Sequence, residues 1–500
     1  MGEIEGLVKQ SRLCEIFLAG MAESPSEASI AAIGWTETRA RTETRNLMSY
    51  ISVEGPSAKL ISAMEALWEL PESAWRDLTT TPCYSNFLDA LAPDCADVRR
   101  FGGMVAMSRA LAGLGLPCGL PASKRHLAMS AEAAAERLNI AIHATDFMRV
   151  HLMPLDMADT LPALCFGNAT VGRLTAQQLR QIVDLDRMER IYPDHGFDLD
   201  RFAQFQWLVV REDVPINRGP GGRELLSFRL DPMEDYGRIE PHRGIYPDAV
   251  ETALFWLALA PWEQLTESPD IDWRGMQIPW TYTVDHDLFA AMKRPPSSDT
   301  LSWEDSVSQD DYGHPFEVVR PVSMWLSDGS ADALRGHFSA RLEAVSQLPR
   351  FQLFKTPVIH FFTRAFLVRG IDEFMAHMLV IEAALGLPED YKRKSSTGEK
   401  AHESYGGATK RVLARLSVML EPSAASDYEE LFKVRSEFLH GRSMPVISGL
   451  QRIKVRSLAR RVVDALVAVS QNDQNLERGT FLDDLLDRGV VLDPTWPQTA

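Results

Sequence analysis

Arg435 and His440 stand five residues apart near the end of a helical segment, and their side chains suit one kind of chemistry. A guanidinium stays charged at any working pH and holds oxyanions with a planar fork of N–H donors. An imidazole takes up or releases a proton near neutral pH. The flanking apolar residues Tyr428, Leu431, Phe432, Phe438 and Leu439 form a stripe whose centre, at about 100° per residue, falls almost on Arg435. A cation there must be paired with an acid, open to a groove, or turned toward a second subunit, because an unpaired buried guanidinium is expensive. Glu382 and Glu437 are the acids available for a purely structural pair. His440 lies about 140° around an ideal helix and about 7.5 Å along it from Arg435, so the two share a face only if the helix unwinds or a two-fold partner contributes the matching residue. Gly441 follows at once and marks the helix end, where a histidine also sits favourably against the negative pole of the helix.

Four helices must position this pair. The longest carries Leu367, Ile371, Phe374, Met375, Met378, Ile381 and Leu385 at helical spacing and stops at Gly386, with Pro388 beyond. A second spans about residues 408–420 and ends at Pro422. A third opens on a capping box, Ser426 to Glu429, and closes at Gly441. A fourth runs from about Arg452 to Ser470. Short connections favour an antiparallel bundle.

The stretch Tyr428 to Gly441, YEELFKVRSEFLHG, resembles the Arg-x4-His signature of the HEPN superfamily, closest to its Apea-like branch. The surroundings fit that resemblance: a long helix bearing VIEAALG (Val380 to Gly386) precedes it, a basic amphipathic helix follows, and FLDDLLDRG (Phe481 to Gly489) lies near the end. The resemblance implies a metal-independent endoribonuclease of defence or toxin type, with Arg435 and His440 as its catalytic residues at a homodimer interface. Cleavage of RNA through its own 2′-hydroxyl needs a proton carrier and a cation for the phosphoryl oxygens, the roles of His440 and Arg435. Catalytic members often have Asn, Asp or His after the motif arginine, where this chain has Ser436. A second expectation is therefore a HEPN module without catalysis that binds nucleotide, RNA or a protein partner.

Charge is unevenly distributed. The chain carries −17 overall, but residues 391–461 hold 15 Lys and Arg against 7 Asp and Glu, a local excess of +8, which leaves −25 elsewhere. A polyanion would be drawn to this region alone. Arg452, Arg456 and Arg460 recur every four residues on one helix face, with Lys454 and Arg461 beside them, and Lys392, Arg393 and Lys394 lie in the preceding polar loop. Either set can track a phosphate backbone as RNA-binding residues, or form an ordinary solvated face.

Five hundred residues with 45% hydrophobic and 24% charged composition predict two or three domains. Residues 1–150 read as mostly helical (58–70, 105–112, 131–149), residues 151–328 as a mixed α/β domain, 329–490 as the HEPN-like bundle and 491–500 as a tail. The fold class expected is mainly α with a mixed α/β middle domain and a C-terminal antiparallel helical bundle. Strands are expected at 161–166, 205–210, 225–230 and 316–322, and Arg294 to Asp311 as a long surface loop. No cofactor or metal is expected. The five cysteines form no close pair, NRGPGG (217–222) and YGGATKR (405–411) lack phosphate-loop spacing, and His195 and His242 lack partners at recognisable spacing. The longest apolar run, Ala253 to Ala260, is too short to span a bilayer, so the protein is expected to be cytoplasmic with no membrane partner.

Overall fold

A computed structural model describes residues 54–95, 98–225, 246–266, 274–341, 344, 347–348, 351–355, 357–391, 407–441 and 446–492. In chain order its elements are α1 (Ala58–Trp68), α2 (Pro82–Leu91), α3 (Phe101–Leu114), α4 (Ala131–His143), β1 (Asp146–Leu155), β2 (Leu164–Phe166), β3 (Ala169–Arg173), α5 (Ala176–Ile182), α6 (Leu185–Ile191), α7 (Leu199–Phe202) and β4 (Gln206–Pro215). There follow β5 (Arg218–Gly219), β6 (Gly222–Arg223), α8 (Asp248–Ala258), β7 (Tyr282–Asp285), β8 (Trp303–Gln309), β9 (Pro315–Pro321) and α9 (Ser330–Ser339). The last helices are α10 (Val358–Leu367), α11 (Ile371–Leu385), α12 (Ala408–Met419), α13 (Pro422–Leu439), α14 (Gly449–Asn472) and α15 (Arg478–Leu492). The chain is mainly helical, with a small sheet in its middle and a helical C-terminal region.

Two compact units form, and neither is a single stretch of sequence. The described residues of one fall within 1–154, 172–237 and 279–303; those of the other within 155–171, 238–278 and 304–500. The division differs from three consecutive domains because strands distant in sequence pair: in the first unit β1 runs antiparallel to β7, with Arg149 opposite Asp285 and His151 opposite Thr283. Among the described residues that unit shows two core clusters. One is helical, built on Leu60, Phe87, Met107, Leu111 and Leu138; the other lies on the sheet, around Val150, Trp207, Val209 and Val284.

In the second unit α10 lies against α11, α11 against α14, α12 against both α13 and α15, and α13 against α14. The crossing of α12 and α15 is close: a Cβ on Gly489 would sit 2.1 Å from the carbonyl oxygen of Ala414. Only a glycine permits that approach.

Several boundaries differ from the sequence expectations. The long helical stripe is two helices, α10 and α11, broken at Gly370, whose φ of +64° is a left-handed conformation that suits glycine. Helix α13 begins at Pro422, not at a Ser426 capping box. Proline fits the first turn because its missing N–H would have no partner there. Ser426 lies inside the helix and donates to the Pro422 carbonyl. The capping box belongs instead to Ser448 and Gln451 at the start of α14. The expected loop 294–311 contains strand β8, and α4 ends at His143, after which Asp146–Leu155 is a strand. The stretch 226–230 lies outside the described residues.

Candidate functional site

Helix α13 presents Ala424, Tyr428 and Leu431 to the interior at three- and four-residue spacing, and Arg435 is next on that line. Its guanidinium meets Glu382, from the last turn of α11. Nη1 lies 3.1 Å from Oε1, and Nη2 donates to Oε2 over 3.3 Å. The Tyr428 hydroxyl also reaches Glu382 Oε1, at 3.5 Å, and the Arg435 guanidinium lies 5.5 Å from the centre of the Phe432 ring. Of the three states the sequence allows for this cation, the structure thus holds the acid-paired one, with Glu382 as the acid.

The pair is not sealed. The Arg435 side chain is 21% exposed and that of Glu382 16%. Burial pushes the Glu382 carboxyl above the ordinary glutamate range even though Arg435 and Tyr428 pull it down, so here desolvation outweighs the ionic attraction. Arg435 Nε is buried and has no hydrogen-bond partner among the described residues. The carboxylate thus leaves the buried Nε–H of the guanidinium unused.

His440 caps the C-terminus of α13 and is exposed. Its amide donates to Ser436 O (3.1 Å), and Gly441, at φ +63°, donates to Phe438 O (3.2 Å) as the chain leaves the helix. Leu439, expected on the buried stripe, is 52% exposed. The structure thus puts Arg435 at the wall of the bundle and His440 at its rim.

The basic row on α14 differs from the expectation. Arg456 and Arg460 are buried, Arg456 with Glu373 Oε1 at 2.9 Å and Arg460 with Glu263. Arg452 lies 2.6 Å from Glu373 Oε2, and Glu373 itself is fully buried. Lys454 is paired with Asp427 and Glu430, and Arg461 with Glu421. These arginines continue the inward line that Ala459, Val463 and Val467 also follow. A carboxylate therefore answers each of these cations, and Arg456 and Arg460 do not form a solvated track for phosphates. Lys392, Arg393 and Lys394 lie outside the described residues.

Where α11 ends, a second charged group appears that sequence reading missed. Arg415, fully buried on α12, reaches Asp390 through Nη1 (2.5 Å) and Nη2 (3.2 Å) and donates from Nε to Leu482 O and from Nη1 to Leu385 O. Arg411 adds a third contact to Asp390, at 3.1 Å. Asp390 stays below the ordinary aspartate range: burial raises its pKa, but the Arg415 hydrogen bond and the Leu387 amide lower it further. This network ties α11, α12 and α15 together.

In the first unit, Thr283, His151 and Glu212 line up across adjacent strands. His151 Nδ1 lies 2.8 Å from Thr283 Oγ1, and Nε2 lies 2.8 Å from Glu212 Oε2. A hydroxyl, an imidazole and a carboxylate in a row have the composition of a nucleophilic triad. However, the imidazole is 1% exposed with both nitrogens occupied, which makes this a cross-strand polar ladder.

No family model, curated protein or solved structure matches this chain.

Of the remaining motifs, residues 217–222 lie in a tight hairpin of β5 and β6 in which Arg218 opposes Arg223 and Gly219 opposes Gly222, in keeping with the turn expected there. His195 is half-buried, and His242 lies outside the described residues. Among the described residues, no helix is long and apolar enough to cross a membrane, and no group of three or more His, Cys, Asp or Glu side chains is placed to hold a metal ion.

Proposed function

We propose that the C-terminal helical region is a HEPN-type module that acts on RNA at the Arg435–His440 end of α13, cleaving the strand without a metal. Arg435 neutralises the phosphoryl oxygens, and His440 moves the proton between the 2′-hydroxyl and the leaving oxygen. The observation that carries this reading is the exposed imidazole of His440 at the rim, about 1.4 helical turns from a guanidinium that remains partly open to solvent. A homodimer through this region would bring the arginine of one copy to the histidine of the other, answering the angular offset along a single helix.

In this reading Glu382 is a resting partner that phosphate displaces. Its burial already disfavours the charged carboxylate, and a phosphodiester offers the guanidinium a better fork-shaped match. One observation favours a second reading, a module that has lost catalysis: both Arg435 Nη atoms are engaged by Glu382, and Ser436 follows the arginine.

Incubation of the full chain with RNA in EDTA, beside Arg435→Ala, His440→Ala and Glu382→Gln, separates the two. The nuclease reading expects cleavage by the wild type, losses on the order of 10²-fold or more in the first two variants, and RNA affinity raised in Glu382→Gln. Binding without cleavage in every protein selects the inactive module. Cleavage undiminished in both Arg435→Ala and His440→Ala removes the site.

A further inference from the structure

The ribbon formed by β8 and β9 stands apart from the bundle chemistry and has an edge that nothing among the described residues covers. Asp310 N donates to His314 O (3.0 Å), which closes the turn and sets the register. The Glu304–Arg320 ion pair (2.9 Å) fits the same register farther down. Hydrogen-bonded and non-hydrogen-bonded pairs alternate along an antiparallel ladder. With residues 310 and 314 bonded, the odd-numbered residues of both strands turn their N–H and C=O groups away from the partner strand.

The two outer edges then differ. On β9 the outward positions include Pro315 and Pro321, which have no N–H, and proline at such positions blunts an edge. On β8 they are Trp303, Asp305, Val307 and Gln309, each with a complete donor and acceptor. No backbone hydrogen bond from another described residue reaches them, and among the described residues the sheet has two strands. Two strands alone are marginal in water.

Side chains state what would fit. Val307 is 68% exposed, Val319 53% and Tyr312 87%. Between Glu304 and Arg320 the ribbon carries five carboxylates (Glu304, Asp305, Asp310, Asp311, Glu317) and one guanidinium. This charge opposes pairing with a second copy of the same ribbon and opposes RNA. We infer that the outer edge of β8 takes a third strand from a partner protein, an extended segment in which Lys or Arg alternates with aliphatic residues. Main-chain hydrogen bonds would hold the segment, Val307 on the edge strand would pack against its aliphatic side chains, and the carboxylates would meet its cations.

Fluorescence anisotropy of the full chain with labelled synthetic peptides tests this. A heptapeptide alternating Lys and Val should bind, and its Glu–Val counterpart should not. The same Lys–Val peptide N-methylated at alternate residues keeps its charge but lacks the bonding edge, and should bind at least about tenfold more weakly, a loss of about 1.4 kcal/mol. Val307→Pro should abolish binding. Because that change can also unfold the ribbon, Asp305→Lys with Glu317→Lys provides a second test, in which preference should pass to the Glu–Val peptide. Equal binding of the methylated and unmethylated peptides, absence of Lys–Val binding, or an unchanged preference in the lysine variant would overturn the inference.

Discussion

Replacing Asp390 by Asn tests how the helices that carry the candidate site are held. The substitution keeps size and removes the charge that two arginines share. Arg411 can turn toward water, since its side chain is 11% exposed, but Arg415 cannot, at 0%. A guanidinium left in the core without its buried acid, with only the half-exposed Asp483 still 3.9 Å away, costs up to about 3–5 kcal/mol, whereas the same pair exchanged for apolar groups of similar volume is close to neutral. Asp390→Asn should therefore lower the urea midpoint of the unit by about 1 M or more, given a slope of about 1–3 kcal/mol per molar for domains of ordinary size. Adding Arg415→Met should recover most of the loss, a coupling that a double-mutant cycle measures directly. Since the folded-state pKa of Asp390 is depressed, its contribution is complete above the ordinary aspartate range and disappears as pH falls through the lower folded value. A midpoint unchanged in Asp390→Asn, or a double variant no better than the single one, would refute the reasoning.

Gly489→Ala would drive a Cβ into the Ala414 carbonyl, so α12 and α15 must part; a loss of about 1–3 kcal/mol in denaturant unfolding is expected, and an unchanged midpoint would count against the close crossing. His377 is fully buried and His337 half-buried, and their pKa values are pushed down to about 3 and about 4, mainly by desolvation, then by Arg456 beside His377 and Arg341 beside His337. The unfolded chain protonates both near pH 6.5, so stability should fall as pH drops from about 6.5 toward 4, by up to about 1.4 kcal/mol per pH unit for each histidine. His337→Gln with His377→Gln should flatten that slope, and an equally steep slope in the double variant would show that other groups are responsible.

The sequence was legible where structure is local. Helices α12, α13 and α14 follow their apolar periodicity to within a few residues, and strands β2, β4 and β9 overlap the β-rich runs expected of them. Strand β8, WEDSVSQ, was hidden because one face is wholly polar and the other mixes Trp303 and Val307 with Asp305 and Gln309, so no clean alternation distinguishes it from a loop. The opening of β1 merged with the helical pattern before it, since Met and Leu suit either period.

At the candidate site, periodicity showed that Arg435 lies on the inward line but could not choose between Glu382 and Glu437 as its acid. Arg456 and Arg460 were read as solvated because their carboxylates are remote: Glu373 lies 83 residues from Arg456, and Glu263 lies 197 from Arg460. Spacing fixes which residues share a helix face, but only tertiary packing decides which face turns inward. Asp390 gave no local signal for the same reason, since Arg415 is 25 residues away.

The measurement that reaches the central claim most directly is mass spectrometry of the product ends after RNA is incubated with the full chain in EDTA. Attack by the 2′-hydroxyl, with His440 moving its proton and Arg435 balancing the phosphoryl charge, predicts fragments ending in a 2′,3′-cyclic phosphate, and their loss in His440→Ala and Arg435→Ala. Intact RNA, or the same fragments from both variants, would contradict it.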